Sequence, residues 1–333
     1  MLALTALVAV ACKASEVRVG TNFLISDAAL FVAEQKGYFK EQGIKLKLVT
    51  LESGAKMVAP LGTGELEVAA GATSAGLFNA IARGIEIKIV ADKGSSIPGA
   101  SYMPVIVRRE LVDSGKVKSA KDLKGLKVAE AGQGGSPAST LNETLKKGGL
   151  RYADVVHIQN MGYPQHVAAL ANGAIDASVT AEPALTKALD EGVAVRLPGE
   201  EPYPGQQISV LLYGGDFIKK QPDVARKFMI AYLKGARDYN DALKSGHLAG
   251  PNADEVVSIL AQFTHVKDPV LIRKMTASGC NPNGWVNRAS LNKDLQFFQE
   301  AGFLEGTVTV DQAVDDSFVD GAVKVLGSYK PRE

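Results

Sequence analysis

Cysteine is nearly absent from this 333-residue chain, which carries only Cys12 and Cys280. Two cysteines, one of them next to an N-terminal apolar run, give no disulfide framework, so the fold must rest on its own core. Tryptophan occurs once, as Trp285, and aromatic residues make up only 6% of the chain. The four histidines, His157, His166, His247 and His265, are not spaced from one another, from a cysteine or from a carboxylate as metal ligands would be. No metal and no resident cofactor is therefore expected. A Gly-x-Ser-x-Gly elbow and a local Cys/His signature are both missing, and no catalytic residue is assigned. Asp315-Asp316 reads as a solvated helix face. Charge of one sign is lacking too. Lys and Arg number 37 against 36 Asp and Glu, leaving +1 with no basic run, which excludes nucleic acid and an anionic membrane surface as partners. No apolar span reaches the roughly 18 residues that a membrane-crossing helix needs.

What is present is apolar and glycine-rich: 46% hydrophobic residues, 22% charged, and 34 glycines. That composition is globular, and the length allows two lobes with a core each. Residues 2–11 form a short apolar run ending in Ala9 and Ala11, of signal-peptide length but with no charged residue before it. Cys12 after this run resembles a lipoprotein cleavage site, whereas cleavage after Ala14 would discard it. Residues 1–15 are read as a leader. The protein is expected to be periplasmic or otherwise extracytoplasmic, and lipid-anchored if Cys12 is retained.

Beyond the leader, strand and helix alternate. Strands are expected over 17–20, 45–51, 67–70 and 85–91, with helices from Asp27 to Gly37, over 55–61 and over 75–82. That alternation means a parallel, doubly wound sheet. The same grammar returns 109 residues later. Arg18-Val19 corresponds to Lys127-Val128, and Gly64-Glu65-Leu66-Glu67-Val68 to Gly173-Ala174-Ile175-Asp176-Ala177. Two similar lobes follow, with 16–104 plus 210–333 as the first and 105–209 as the second. Two β-rich segments, 102–108 and 206–213, read as a two-stranded hinge. The remainder is helical and is expected to cover the first lobe.

Open parallel sheets bind ligands beyond the carboxyl ends of their strands. The loop Gly132-Gln133-Gly134-Gly135-Ser136 follows one such strand, with Ser136 as candidate helix cap and Pro137 in the first turn. Free N–H groups and a dipole end make it a cradle for an anion or a polar ligand. It is not a P-loop, since Gly135-Ser136-Pro137 stands in place of Gly-Lys-Ser/Thr, nor a dinucleotide fingerprint, since Pro137 stands where the third glycine would be. The 109-residue offset sets this loop against the 22–27 loop, 52–54 against 161–163, and 71–74 against 180–183. The candidate ligand-binding residues are Asn22, Phe23, Ser53, Thr73, Ser74, Gln133, Gly134, Gly135, Ser136, Tyr163 and Glu182. The hydroxyls suit oxygen-rich ligands, and Phe23, Tyr163 and Tyr203 could stack on a flat one. Glu182 either accepts from a ligand N–H, binds a cation, or favours the helix that starts at Pro183 through its dipole.

The opening VRVGTNFLISDAALFVAEQKGYFKEQGIKLKLVTLESGAKMVAPLGTGELEVAAGA resembles the NitT/TauT-type solute-binding proteins of ABC importers, which include nitrate, taurine, alkanesulfonate and thiamine-precursor binders. The matching parts are Gly37-Tyr38-Phe39, Glu41-Gln42-Gly43-Ile44 and Leu61-Gly62-x-Gly64. In the second half they are Leu123-Lys124-Gly125-Leu126-Lys127-Val128, Ala169-Leu170-x-x-Gly173-x-Ile175-Asp176-Ala177 and Glu182-Pro183. The resemblance implies an α/β type II periplasmic-binding-protein fold that closes on its ligand like a hinge. It also implies a monomer that delivers a small-molecule solute to a membrane permease with its ATPase subunits. The resemblance does not imply the ligand; the loop hydroxyls and N–H groups favour a sulfonate or carboxylate, and the alternatives are a pyrimidine or thiamine-precursor binder, or an enzyme of the same fold making a pyrimidine precursor. No tryptophan lies near the ligand loops, unlike in the sulfonate binders. The related fungal pyrimidine-synthesising enzymes carry a cysteine cluster that this chain lacks, so no enzymatic activity is expected.

Overall fold

The computed structural model describes residues 14–51, 53–199 and 203–332. All but the last two residues of the expected leader, Cys12 among them, lie outside these, as does Glu52. The first lobe takes the strands β1 (Ser15–Thr21), β2 (Ile44–Thr50), β3 (Val68–Ala72) and β4 (Ile87–Ser95). The second takes β5 (Val105–Arg108), β6 (Lys127–Ala129), β7 (Val156–Ile158), β8 (Ala177–Val179) and β9 (Ala194–Arg196). A further strand, β10 (Gln207–Gly214), returns to the first lobe. Two five-stranded sheets result, in the orders β2-β1-β3-β10-β4 and β7-β6-β8-β5-β9.

The two sheets repeat one another in register. In the first, Arg18 pairs with Lys47 and Val19 with Val68, and in the second, Lys127 pairs with Val156 and Val128 with Ala177, each position shifted by 109 residues. Side chains keep the shift. The Glu67 carboxylate accepts the Arg18 N–H at 2.7 Å, and the Asp176 carboxylate accepts the Lys127 N–H at 3.0 Å. The chain crosses between lobes twice. Residues 96–104 lead into β5, which runs antiparallel between β8 and β9, and residues 197–206 lead into β10, antiparallel between β3 and β4. The two β-rich segments read as a hinge are thus the crossing strands, each inserted into the sheet of the lobe it enters. This is the expected α/β architecture of two doubly wound lobes on a two-stranded hinge.

Each sheet is covered on both faces, as a mostly parallel sheet must be. On one face of the first sheet, helix Ala28–Gln35 packs against the long helix Pro222–Asp241. Their approach depends on Gly235, where an added Cβ would stand 2.3 Å from the Ala29 carbonyl oxygen. The other face carries helices Ala75–Ala82 and Arg288–Glu300. In β5, Val105 and Val107 point to the core under helix Ser136–Lys147, and Ile106 points to the core under Tyr163–Ala171 and Ala184–Asp190. That is the period-2 alternation of a strand buried on both sides.

Candidate functional site

The loops after β3, β6 and β8 make contacts between the two lobes, whereas the loop after β1 makes its bonds within the first lobe. β1 ends at Thr21, and Asn22 ties the following turn to the neighbouring loop through its amide, which donates to the Leu51 carbonyl at 2.8 Å. Phe23 then adopts a left-handed backbone, φ +54°. Its N–H donates to the Thr21 hydroxyl oxygen at 3.0 Å, and the hydroxyl donates to Asp27 at 2.8 Å. Asp27 also accepts the Leu24 N–H at 2.9 Å. Contrary to the sequence expectation, its carboxylate does not cap the helix it precedes, because it turns back into this turn and pairs with the buried Lys93 ammonium at 2.7 Å. The half-buried Phe23 ring stacks on Phe31 with centroids 5.7 Å apart, and Phe31 in turn stacks on Phe263.

Ser53 is half-buried at the start of a short turn, Gly54–Met57, and makes no capping bond. Gly54 lies close against β3, since a Cβ there would come within 2.8 Å of the Ala72 nitrogen. Ser74 caps the helix Ala75–Ala82 by accepting the Leu77 N–H at 3.3 Å. Thr73 is fully buried, and its hydroxyl reaches the Gln207 carbonyl at 3.3 Å.

The glycine loop of the second lobe meets Thr73–Ala75 rather than the 22–27 loop. Ser74 and Gly135 form an antiparallel bridge, and the Ala75 N–H donates to the Gly134 carbonyl at 2.8 Å. Ser136 is the first residue of its helix, Gly135 being the cap. The Ser136 hydroxyl donates across to the Ile208 carbonyl of β10 at 2.8 Å, while the Gln206 amide donates to the Ser136 carbonyl at 3.0 Å. The presumed cradle is therefore largely occupied as a clasp that fastens the lobes beside the hinge. Gly134 permits it by its φ of +62°, because a Cβ would meet Ala75 and Phe303, each at 3.3 Å. Gln133 alone in this loop is exposed.

Tyr163 begins its helix half-buried, with its hydroxyl directed at the Met103 sulfur (3.5 Å) and burial pushing its phenol pKa up. Glu182 is buried and accepts three hydrogen bonds, from the Thr186 N–H and hydroxyl at 3.0 Å each and from the Thr276 N–H at 2.9 Å. Burial raises its pKa against these bonds. Thr276 belongs to the first lobe's C-terminal portion, so Glu182 is a second fastening between lobes. Of the candidate residues only Glu182 carries charge, and its oxygens are occupied.

Sequence reasoning missed Lys93, Gln206 and Thr276. Lys93 was visible as a charge inside the apolar strand IKIVADKGS, and a buried-strand lysine asks for a carboxylate partner. The other two reveal themselves only through the lobe contact. Of the four histidines only His166 is buried; His157 is half-buried, and His247 and His265 are exposed. His166 Nδ1 lies 2.8 Å from the Thr180 hydroxyl and its Nε2 3.0 Å from the Met161 carbonyl, and burial lowers its pKa to about 4. Among the described residues no group of histidine, cysteine and carboxylate side chains could hold a metal ion.

The family described as NMT1/THI5 like matches residues 25–242. The riboflavin-binding protein RibY of Chloroflexus aurantiacus is 26% identical over 335 residues, covering 92% of this chain and 84% of that protein. THI12 of Saccharomyces cerevisiae, a 4-amino-5-hydroxymethyl-2-methylpyrimidine phosphate synthase, is 26% identical over 226 residues, covering 63% of this chain and 62% of the enzyme. Among solved structures, the periplasmic nitrate-binding protein NrtA from Synechocystis PCC 6803 has a TM-score of 0.75 at 16% identity, covering 95% of this chain and 90% of its own. The periplasmic aliphatic sulphonate binding protein SsuA from Escherichia coli has a TM-score of 0.71 at 17% identity, covering 92% and 99%. These structures share the periplasmic-binding-protein fold with this chain.

Proposed function

The chain belongs to the NMT1/THI5-like family, and from that premise we propose that it is the extracytoplasmic solute-binding component of an ABC importer. In this reading it acts as a monomer and holds one small organic solute between its lobes. The two moving bodies are those expected from the sequence, residues 16–104 with 210–333 and residues 105–209, with the later boundary drawn back to the start of β10 at Gln207, and the closed form presents itself to a permease with ATPase subunits. Closure about a two-strand hinge is the motion this architecture allows.

For the ligand we favour a planar nitrogen heterocycle, of flavin or aminopyrimidine type, over a sulfonate or carboxylate. The observation that carries this choice is the Lys93–Asp27 pair. The one ammonium buried beside the cleft loops is neutralised at 2.7 Å, and the helix terminus at Ser136 is engaged by the other lobe. What remains is neutral: the amides of Asn22 and Gln133, the hydroxyls of Ser53 and Ser74, and the rings of Phe23 and Tyr163. Such groups suit the edge and faces of an uncharged ring better than a dense anion. The names of RibY and the yeast synthase point to ligands of this class.

The rival reading, an enzyme that makes a pyrimidine precursor, draws on the synthase relatives. Against it, both ring nitrogens of His157 and of His166 are bonded inside the second lobe. Calorimetry with riboflavin, 4-amino-5-hydroxymethyl-2-methylpyrimidine, taurine, an alkanesulfonate and nitrate tests the assignment. One-to-one binding of a ring compound is expected; binding confined to the anions would overturn the ligand choice, and conversion of the bound compound would overturn the binder itself.

A further inference from the structure

Phe23 is one of only three non-glycine residues with positive φ among the described residues, and it sits in the loop that the cleft reading makes a ligand wall. A phenylalanine does not hold φ +54° without support, and non-glycine strain of this kind persists only where its surroundings over-determine it. The support is visible as a linear chain of contacts. The Lys93 ammonium grips Asp27 Oδ1 at 2.7 Å, Asp27 Oδ2 accepts the Thr21 hydroxyl and the Leu24 N–H, and the Thr21 oxygen accepts the Phe23 N–H. Asp27 is fully buried and Lys93 is 2% exposed. A buried pair of this kind is no better for stability than well-packed apolar residues, because the desolvation of both charges offsets their attraction. Its place, one hydrogen bond from the strained turn, accounts for it as a geometric device.

We propose that Lys93, Asp27 and Thr21 are positioning residues that lock Phe23 in its left-handed conformation, so that the ring stands preformed against Phe31. This rests on the solute-binding reading only for what the ring meets. The lock lowers the ordering that a ligand must otherwise impose on the loop, and so raises affinity without touching the ligand.

Asp27→Ala would strand Lys93 as a lone buried charge and endanger folding, so Thr21→Val is the informative variant. It keeps shape, the ion pair and the strand, and removes only the hydroxyl. Two readouts separate the claims. In the ligand-free protein, amide exchange by NMR should quicken roughly tenfold at Phe23 and stay unchanged at Val19 in the middle of β1, with Thr21→Ser behaving as wild type. Equal protection of Phe23 in Thr21→Val overturns the lock, whatever the ligand proves to be. With whichever of riboflavin and 4-amino-5-hydroxymethyl-2-methylpyrimidine binds the wild type, Thr21→Val should weaken affinity about tenfold, yet add nothing in a Phe23→Ala background. Additive losses would mean that Thr21 acts by a route other than Phe23 and would overturn the positioning role. If neither compound binds, the choice of ligand class fails, and the exchange measurement still decides the lock.

Discussion

At the scale of single residues, the contacts that matter join parts of the chain far apart in sequence. His157 has its Nδ1 2.7 Å from the Glu130 carboxylate and its Nε2 2.8 Å from the Tyr152 carbonyl. Both partners offer acceptor oxygens, an arrangement that favours the protonated ring. Burial alone would lower its pKa, but the bonds to Glu130 and Tyr152 outweigh it and raise the value above 6.5. Asp294, at the interface of helices Arg288–Glu300 and Ser136–Lys147, is pushed by burial to about 7 against the bond from Tyr203. Both groups take up protons in the folded state at a higher pH than in the unfolded chain. Their contribution to stability is therefore present at low pH and lost as pH rises through these values. Melting temperature is expected to rise as pH falls from 8 to 6, and the His157→Gln, Asp294→Asn double variant should flatten that slope. Below about 6.5 His166, whose pKa is lowered to about 4, opposes the trend. Glu182→Ala would leave the Thr186 and Thr276 N–H groups without their acceptor and should cost about 1–3 kcal/mol in urea unfolding, with Glu182→Gln milder. The sequence singled out Glu182 and Ser136 as loop residues of note. It offered no sign that their partners would be Thr276 and Ile208, because local pattern carries no information about contacts across lobes.

Among the elements, the sequence was most legible where period and spacing speak. The strand and helix alternation and the 109-residue offset appear unchanged in the pairing of β1 with β2 and β3, and of β6 with β7 and β8. The exchange of β5 and β10 between lobes was only half legible. Both segments read as β-rich connectors, yet insertion into the opposite sheet is a property of topology and not of composition. Which loops face each other was the weakest inference, since an internal offset relates equivalent positions and says nothing about which of them touch. Thus the glycine loop meets Thr73–Ala75, not Asn22–Asp27. One element-level consequence concerns Gly235. A methyl there would press on the Ala29 carbonyl and lie 2.6 Å from the Ala33 Cβ, so helices Ala28–Gln35 and Pro222–Asp241 would have to separate. Gly235→Ala should lower stability by about 1–3 kcal/mol by denaturant unfolding, against the usual helix preference for alanine.

For the whole molecule, two covered sheets are joined at the Gln206–Ser136 clasp, the Glu182–Thr276 contact and two crossing strands, and the proposed closure would bend along that line. In the proposed reading the loops that flank this line would offer neutral polar groups and two aromatic rings, and the buried Lys93 ammonium beside them is paired with Asp27. Ligand should draw the lobes together, with a smaller radius of gyration by solution scattering when the cleft is saturated. The central claim is capture without chemistry, and equilibrium dialysis with recovery of the ligand tests it most directly. Dialysed against riboflavin and against 4-amino-5-hydroxymethyl-2-methylpyrimidine, the protein should hold one equivalent of one of them and release it chemically unchanged. Retention of neither compound, or recovery of a converted product, would contradict the account.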